Sequence, residues 1–199
     1  CMPLCHLKIY PMTQAQVFSV CVFCGARMGH DPAYRAAAEA VGQWIGQRGY
    51  RLVFGGGQGG LMGVVADSTL AAGGTVLGII PSALVQLEHA HQGLTEMMEV
   101  DTMHQRKALM AQNSDVYVSL AGGLGTLEEL AEMWTLNVLG YQDKPMGLLN
   151  TNGYYDDMLR YLDRMQSEGF ARPEHLARMS VGDEPTALLA TLLARHAAL

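Results

Sequence analysis

At 199 residues and 49% hydrophobic content, the chain can bury a substantial core and is expected to form one domain. Its formal net charge of −6 argues against a general binder of nucleic-acid backbone or of an anionic membrane, because either partner rewards a basic surface. With no apolar run of membrane-spanning length and no basic segment leading into a secretory core, the expectation is a cytoplasmic protein with no nucleic-acid or membrane partner.

Met12 directly precedes a segment that leads into the first strand. Residues 1 to 11 are therefore expected to be a non-native or weakly ordered extension, and 12–199 the domain. Val17 to Phe23 is a short apolar run ending at Cys24-Gly25. Pro32 to Gln47 then places Ala36, Ala40, Val41, Trp44 and Ile45 on one helical face. Arg51 to Phe54 is the next strand, followed by Gly55-Gly56-Gly57-Gln58-Gly59-Gly60 and a helical segment from Leu61 to about Ala72. Further strands are read at Thr75 to Ile80, Val116 to Leu120 and Met146 to Leu149. Helical patterns cover Thr102 to Asn113, Leu127 to Leu139, Tyr154 to Glu168 and a terminal Pro185 to Ala198.

Continuous apolar strands alternating with helices indicate an α/β, Rossmann-like fold: a mostly parallel sheet with helices on both faces. In such sheets ligands collect beyond the carboxyl ends of the strands, where both glycine-rich loops must lie. Neither loop has the spacing of a dinucleotide fingerprint. The four cysteines, Cys1, Cys5, Cys21 and Cys24, all precede residue 25 and cannot staple distant parts of the fold. Cys21-Val22-Phe23-Cys24 matches C-x-x-C, but in a strand residues three apart point to opposite faces. His89-Ala90-His91 has no accompanying metal-ligand pattern and reads as surface histidines, so no metal is expected.

The segment Ala121-Gly122-Gly123-Leu124-Gly125-Thr126-Leu127-Glu128-Glu129 carries the most chemistry. Glycines let backbone N–H groups converge on an anion, and the following helix contributes its positive dipole end. A phosphate fits. Thr126 and Glu129 also satisfy the T-x-x-E capping box, in which both side chains would only satisfy backbone donors. Taken alone, the segment supports either reading equally. Upstream, Thr102-Met103-His104-Gln105-Arg106-Lys107 puts two adjacent cations early in a helix. Neighbouring helical residues diverge by about 100°, so one can face a ligand while the other faces solvent.

M-H-x-R-K followed by G-G-x-G-T-x-x-E, in this order and separation, closely resembles the LOG (Lonely Guy) family of cytokinin riboside 5'-monophosphate phosphoribohydrolases. The resemblance runs from about Val17 through Leu149 and takes in Gly55 to Gly63 and Trp134-Thr135. One departure is Ala121, where the family usually has Pro. Its loss loosens a φ restraint without removing a ligand-binding atom.

The resemblance implies hydrolysis of the N-glycosidic bond of an adenosine-type, N6-substituted or plain, 5'-monophosphate, giving free base and ribose 5-phosphate with no cofactor. It implies that Gly122, Gly123, Leu124, Gly125 and Thr126 hold the phosphate, that Glu129 and Arg106 are catalytic, and that Met103 and Lys107 bind substrate. Glu88 and Thr135 match further family contacts, while Glu128 should point away from Glu129. A homodimer with its site near the interface is also implied. The alternative is a noncatalytic nucleotide or phosphorylated-cofactor carrier of the same fold. Lysine decarboxylation, a label sometimes given to similar sequences, fits poorly, because Lys8, Lys107 and Lys144 offer no convincing Schiff-base arrangement.

Overall fold

The computed structural model describes residues 17–85, 87 and 89–199. The expected extension over residues 1 to 11 and the candidate Glu88 lie outside these residues. Seven parallel strands form one sheet: β1 (Ser19–Phe23), β2 (Arg51–Phe54), β3 (Thr75–Pro81), β4 (Glu96–Val100), β5 (Val116–Ser119), β6 (Met146–Leu149) and β7 (Met179–Gly182). Their spatial order is β4-β3-β2-β1-β5-β6-β7. The chain thus builds outward from β1 to one edge, returns to β1 and builds outward to the other. The fold is α/β and Rossmann-like, as the alternating pattern indicated.

Two strands escaped the sequence reading, and both are edges. β4 is Glu-Met-Met-Glu-Val, with its two glutamates exposed, and β7 is only four residues long. A strand paired on one side needs no continuous apolar run, so the test that found the inner strands misses it.

The helices are α1 (Pro32–Gln47), α2 (Gly60–Ala71), α3 (Met103–Gln112), α4 (Leu124–Val138), α5 (Asp156–Ser167), the short α6 (Pro173–Leu176) and α7 (Pro185–His196). Alternate residues of β1 sort the core into two layers. Val20 and Val22 pack beneath α1, α2 and α7, through Val41, Ile45, Leu61, Val65 and Leu189. Cys21 and Phe23 face the other way, toward Met110 of α3, and Leu130 and Met133 of α4. Cys24 packs in the first of these layers and Cys21 in the second, and both are free thiols. α1 and α2 approach closely because Gly42 and Gly46 carry no side chain: a Cβ would lie 2.6 Å from the Val65 carbonyl oxygen and 2.4 Å from that of Thr69.

The order of strands creates the site. At the reversal between β1 and β5, successive connections leave toward opposite faces, and the loops beyond their carboxyl ends part to leave a crevice. No described helix is long and apolar enough to cross a membrane.

Candidate active site

A cleft of about 700 Å³ opens there. Its walls are the loop after β1 (Cys24 to Gly29), the Gly122–Thr126 segment, Arg106 and Met103 of α3, Glu129 of α4, and two tyrosines, Tyr34 and Tyr154. Two motifs about twenty residues apart in sequence therefore meet in one cavity.

Helix α4 begins at Leu124, earlier than the apolar periodicity suggested, and Gly123 is its N-cap with no side-chain cap bond. Thr126 is accordingly the third residue of the helix, not its cap, and the T-x-x-E capping box is not formed. The first amides of α4 are helix-end donors without an intrahelical partner. The glycines around them divide by physical cause. A Cβ on Gly122 would fall 2.1 Å from Thr126 Oγ1, so the buried threonine demands glycine there. Gly123 and Gly125 are different: a Cβ on either would meet nothing within 4 Å, and neither has positive φ. Nothing among the described residues requires glycine at these two positions, yet both line the cleft.

The loop backbone is tied down from behind. Leu120 O accepts from Tyr155 Oη (2.6 Å), Ala121 O from Gly25 N (3.0 Å), Gly122 O from Tyr154 Oη (2.5 Å) and Gly123 O from Leu127 N (3.1 Å). The Ala121 carbonyl is thus held by a hydrogen bond that does not depend on which residue stands at position 121. Gly25 is a hub, since its own carbonyl accepts from Leu61 N at 3.0 Å and so links the Gly55–Gly60 loop to the same floor.

Arg106 is 4% exposed. Its Nε donates to Ile79 O (3.1 Å) and its Nη2 to Gly55 O (2.9 Å), while Nη1 lies 3.8 Å from Met103 Sδ. A Cβ on Gly55 would sit 1.8 Å from Nη2. The first residue of the first glycine loop therefore makes room for an arginine. α3 is itself fixed by a capping box the sequence reading passed over: Thr102 accepts from Gln105 N, and the Gln105 side chain returns to the Thr102 amide.

Lys107 takes neither of the two directions expected of it. Its ammonium is buried, hydrogen-bonded to Glu128 and paired with Glu132, and it does not line the cleft. Burial alone would lower its pKa, but the two carboxylates outweigh that and hold it above the ordinary lysine value. Glu128 turns to this lysine, although it also touches the cleft. Glu129 reaches the cavity directly, and its charge is felt at Cys21 and Cys24. Burial first, then Glu129, pushes both thiols far above the usual cysteine range. Cys24 lines the cleft, but as a protonated thiol rather than a nucleophile.

Thr135 lies on the exposed side of α4, where its hydroxyl donates to Ala131 O (2.7 Å), and it is not part of this cavity. Glu88 is outside the described residues. His91, expected at the surface, is 8% exposed: its Nε2 lies 2.9 Å from Asp67 Oδ1 and its Nδ1 accepts from Gly93 N. Its backbone N donates to Gly56 O, bracing the first glycine loop. The sequence reading also missed the β1 loop and both cleft tyrosines. Gly25 and Gly29, close after the first strand, were the available signal for that loop. Nothing local marks Tyr154, which bonds a carbonyl thirty-two residues away.

Residues 62–192 match the family model described as "Possible lysine decarboxylase". The chain is 46% identical to the cytokinin riboside 5'-monophosphate phosphoribohydrolase of Rhodococcoides fascians, over 82% of this chain and 83% of that protein. It is 43% identical to LOG3, of the same name, from Arabidopsis thaliana, over 92% and 84% respectively. It is also 45% identical to the probable enzyme LOGL1 of rice, over 84% and 74%. Among solved structures, the molybdenum cofactor binding protein of Rippkaea orientalis superposes with a TM-score of 0.70 at 21% identity, covering 91% of this chain and 98% of that one. The Moco carrier protein of Chlamydomonas reinhardtii gives 0.65 at 22%, covering 90% and 99%. At such identities the structural likeness speaks for the fold alone.

Proposed function

Because this chain belongs to the family of the cytokinin riboside 5'-monophosphate phosphoribohydrolases, we propose that it hydrolyses the N-glycosidic bond of adenosine 5'-monophosphates, N6-substituted ones included. The observation that carries this reading is the pair of glycines, Gly123 and Gly125, left bare at the start of α4 in the cleft that also holds Arg106 and Glu129. A phosphate oxygen needs the space a side chain would fill, and the amides of Gly123 to Thr126 with the α4 dipole favour its charge.

With the phosphate anchored, the ribose lies within the same cavity as the carboxylate and the guanidinium. As the bond from C1' to the base nitrogen breaks, its electron pair leaves with the base and positive charge grows on the sugar. Glu129 stabilises that charge and takes a proton from the water whose oxygen bonds to C1'. Arg106, permanently charged, cannot be the acid that protonates the base; it offers hydrogen bonds and charge to the departing base or the ribose. Met103 packs beside it, and Glu88 and Thr135 are retained as substrate contacts. Lys107 acts at one remove, through Glu128. Atoms balance as nucleotide plus water giving base plus ribose 5-phosphate: the proton that Glu129 takes from water passes on through solvent, the base nitrogen gains one from solvent, and no cofactor takes part.

Decarboxylation through a lysine Schiff base finds no support among the described residues, outside which Lys8 lies. Lys107 is enclosed by carboxylates, and Lys144 Nζ donates to the carbonyls of Ala111 and Ser114. Neither lines the cleft.

The working form is a homodimer in the cytoplasm. Leu124, Leu127, Ala131, Thr135 and Leu139 recur at helical spacing on the outer side of α4, and all are exposed in a single chain. Thr135 sits on that stripe, so its route to a substrate runs across the interface.

The test is chromatographic assay of purified protein against AMP, N6-isopentenyl-AMP and the corresponding unphosphorylated ribosides. Base release from the monophosphates alone is expected. Glu129→Gln should lower kcat on the order of 10²-fold or more with an unchanged circular dichroism spectrum. Tight nucleotide binding without base release would instead establish a carrier.

A further inference from the structure

We propose that Tyr154 is a positioning residue for the phosphate loop, and that the turn from Asn150 to Tyr155 serves to set the direction of that loop's amides. This rests on the reading that the loop holds a phosphate.

A peptide unit is planar and trans, so its C=O and N–H point in opposite directions. Fixing a carbonyl therefore aims the next residue's amide. The bond from Gly25 N to Ala121 O aims the amide of Gly122, and the bond from Leu127 N to Gly123 O aims that of Leu124. Both are backbone bonds, one just beyond the carboxyl ends of β1 and β5 and the other in the first turn of α4. The unit between them, Gly122 C=O to Gly123 N–H, is flanked by glycine on both sides, and Gly123 has open space around its Cα. Such a peptide rotates at little steric cost. A flipped unit would present an oxygen to the phosphate in place of a donor. The hydroxyl of Tyr154, donating to Gly122 O at 2.5 Å, holds it.

The tyrosine is itself held. Its ring meets Tyr34 edge-on at 5.5 Å and Tyr155 at 4.9 Å between centroids. Asn152, in the left-handed region at φ 52°, donates to Asp31 Oδ2 (2.8 Å), the N-cap residue of α1. Asn150 accepts from Tyr155 N (2.7 Å) and donates to Asp156 (2.8 Å). A strained asparagine and three side-chain bonds thus fix a turn whose two tyrosines act on two carbonyls of one loop. Tyr155 is 6% exposed and reaches Leu120 O beneath the loop, whereas Tyr154 is 43% exposed and borders the cleft.

The experiment compares wild type, Tyr154→Phe and Tyr155→Phe by calorimetric titration with ribose 5-phosphate and by steady-state hydrolysis of AMP. Tyr154→Phe should weaken ribose 5-phosphate binding about fivefold to tenfold, the scale of one net hydrogen bond. KM for AMP should rise by a similar factor, with kcat within about twofold and the thermal midpoint close to wild type, because the lost bond is at the surface. Tyr155→Phe should lower the thermal midpoint more than it weakens binding. Unaltered ribose 5-phosphate affinity in Tyr154→Phe would overturn the proposal, as would equal losses of stability and affinity in the two variants. A wild type that binds ribose 5-phosphate without hydrolysing AMP would sink the hydrolase reading alone, and the affinity comparison would still decide the role of Tyr154. A wild type that does neither would overturn both.

Discussion

Lys107 is hydrogen-bonded to Glu128, and the two residues adjoin the two cleft groups: Lys107 follows Arg106 and Glu128 precedes Glu129. The ion pair therefore ties α3 to α4 one residue away from where each helix places a charged side chain in the cleft. A one-residue step turns a helix by about 100°, which lets Arg106 and Glu129 line the cavity while Lys107 and Glu128 join the two helices, Glu128 at the cavity's edge.

Lys107→Met keeps most of the apolar stem and removes the charge. It should lower stability by about 1–3 kcal/mol. This is less than for a fully buried pair, because Glu128 is 53% and Glu132 35% exposed and both can regain water. KM for AMP should stay within about threefold. A large KM increase with unchanged thermal stability would place the ammonium on the substrate instead. Because the Lys107 pKa is raised by folding, its contribution is fully present below the ordinary lysine value and is lost as pH rises through the folded value. The stability difference between wild type and Lys107→Met should therefore be flat from about pH 6 to 9 and shrink only above about pH 10.5. Denaturant unfolding at several pH values reads this directly.

Gly125→Ala separates folding from binding. The position is helical and surrounded by open space, so alanine should leave stability unchanged or raise it by about 0.5–1 kcal/mol. The methyl group enters the cleft, and AMP affinity should fall on the order of tenfold or more. Wild-type kinetics in this variant would show that no phosphate rests there.

Gly55→Ala should reproduce the activity loss of Arg106→Ala although residue 55 is outside the cavity lining, since its Cβ would stand 1.8 Å from Arg106 Nη2. Both variants should lose kcat on the order of 10². The double variant should be little worse than either single one, which a double-mutant cycle measures. Additive losses would disconnect the glycine from the arginine.

Ala131→Arg places a charge in the middle of the exposed stripe on α4. Light scattering should show a dimer for wild type and a monomer for the variant. A monomeric, fully active wild type would remove the stripe's assigned role.

The inner strands and the order of the two motifs were legible in the sequence because a strand buried on both faces writes itself as an uninterrupted apolar run. β6 is read at its observed bounds, and α1 likewise from its Pro32 start. The edges were not legible: β4 keeps two glutamates in water while pairing with β3 alone. Arg106 was identified by its motif, but its partners include carbonyls of Gly55 and Ile79, and main-chain oxygens leave no mark in a sequence. The same limit hid Tyr154. For Lys107, charge suggested solvent or ligand, whereas its true partners lie one and two turns into another helix. Thr126 illustrates a local rule overridden by its surroundings, since starting the helix at Leu124 moved it from cap to interior.

Gly25 donates to Ala121 O and accepts from Leu61 N, so three loops that approach from different strands are sewn into one continuous floor. A ligand arriving there meets loop backbone already held by hydrogen bonds, and little ordering of that floor remains to be done on contact. Association then depends on diffusion through the mouth. The free base and the sugar phosphate leave over this same floor, so their release is expected to need no rearrangement of these three loops.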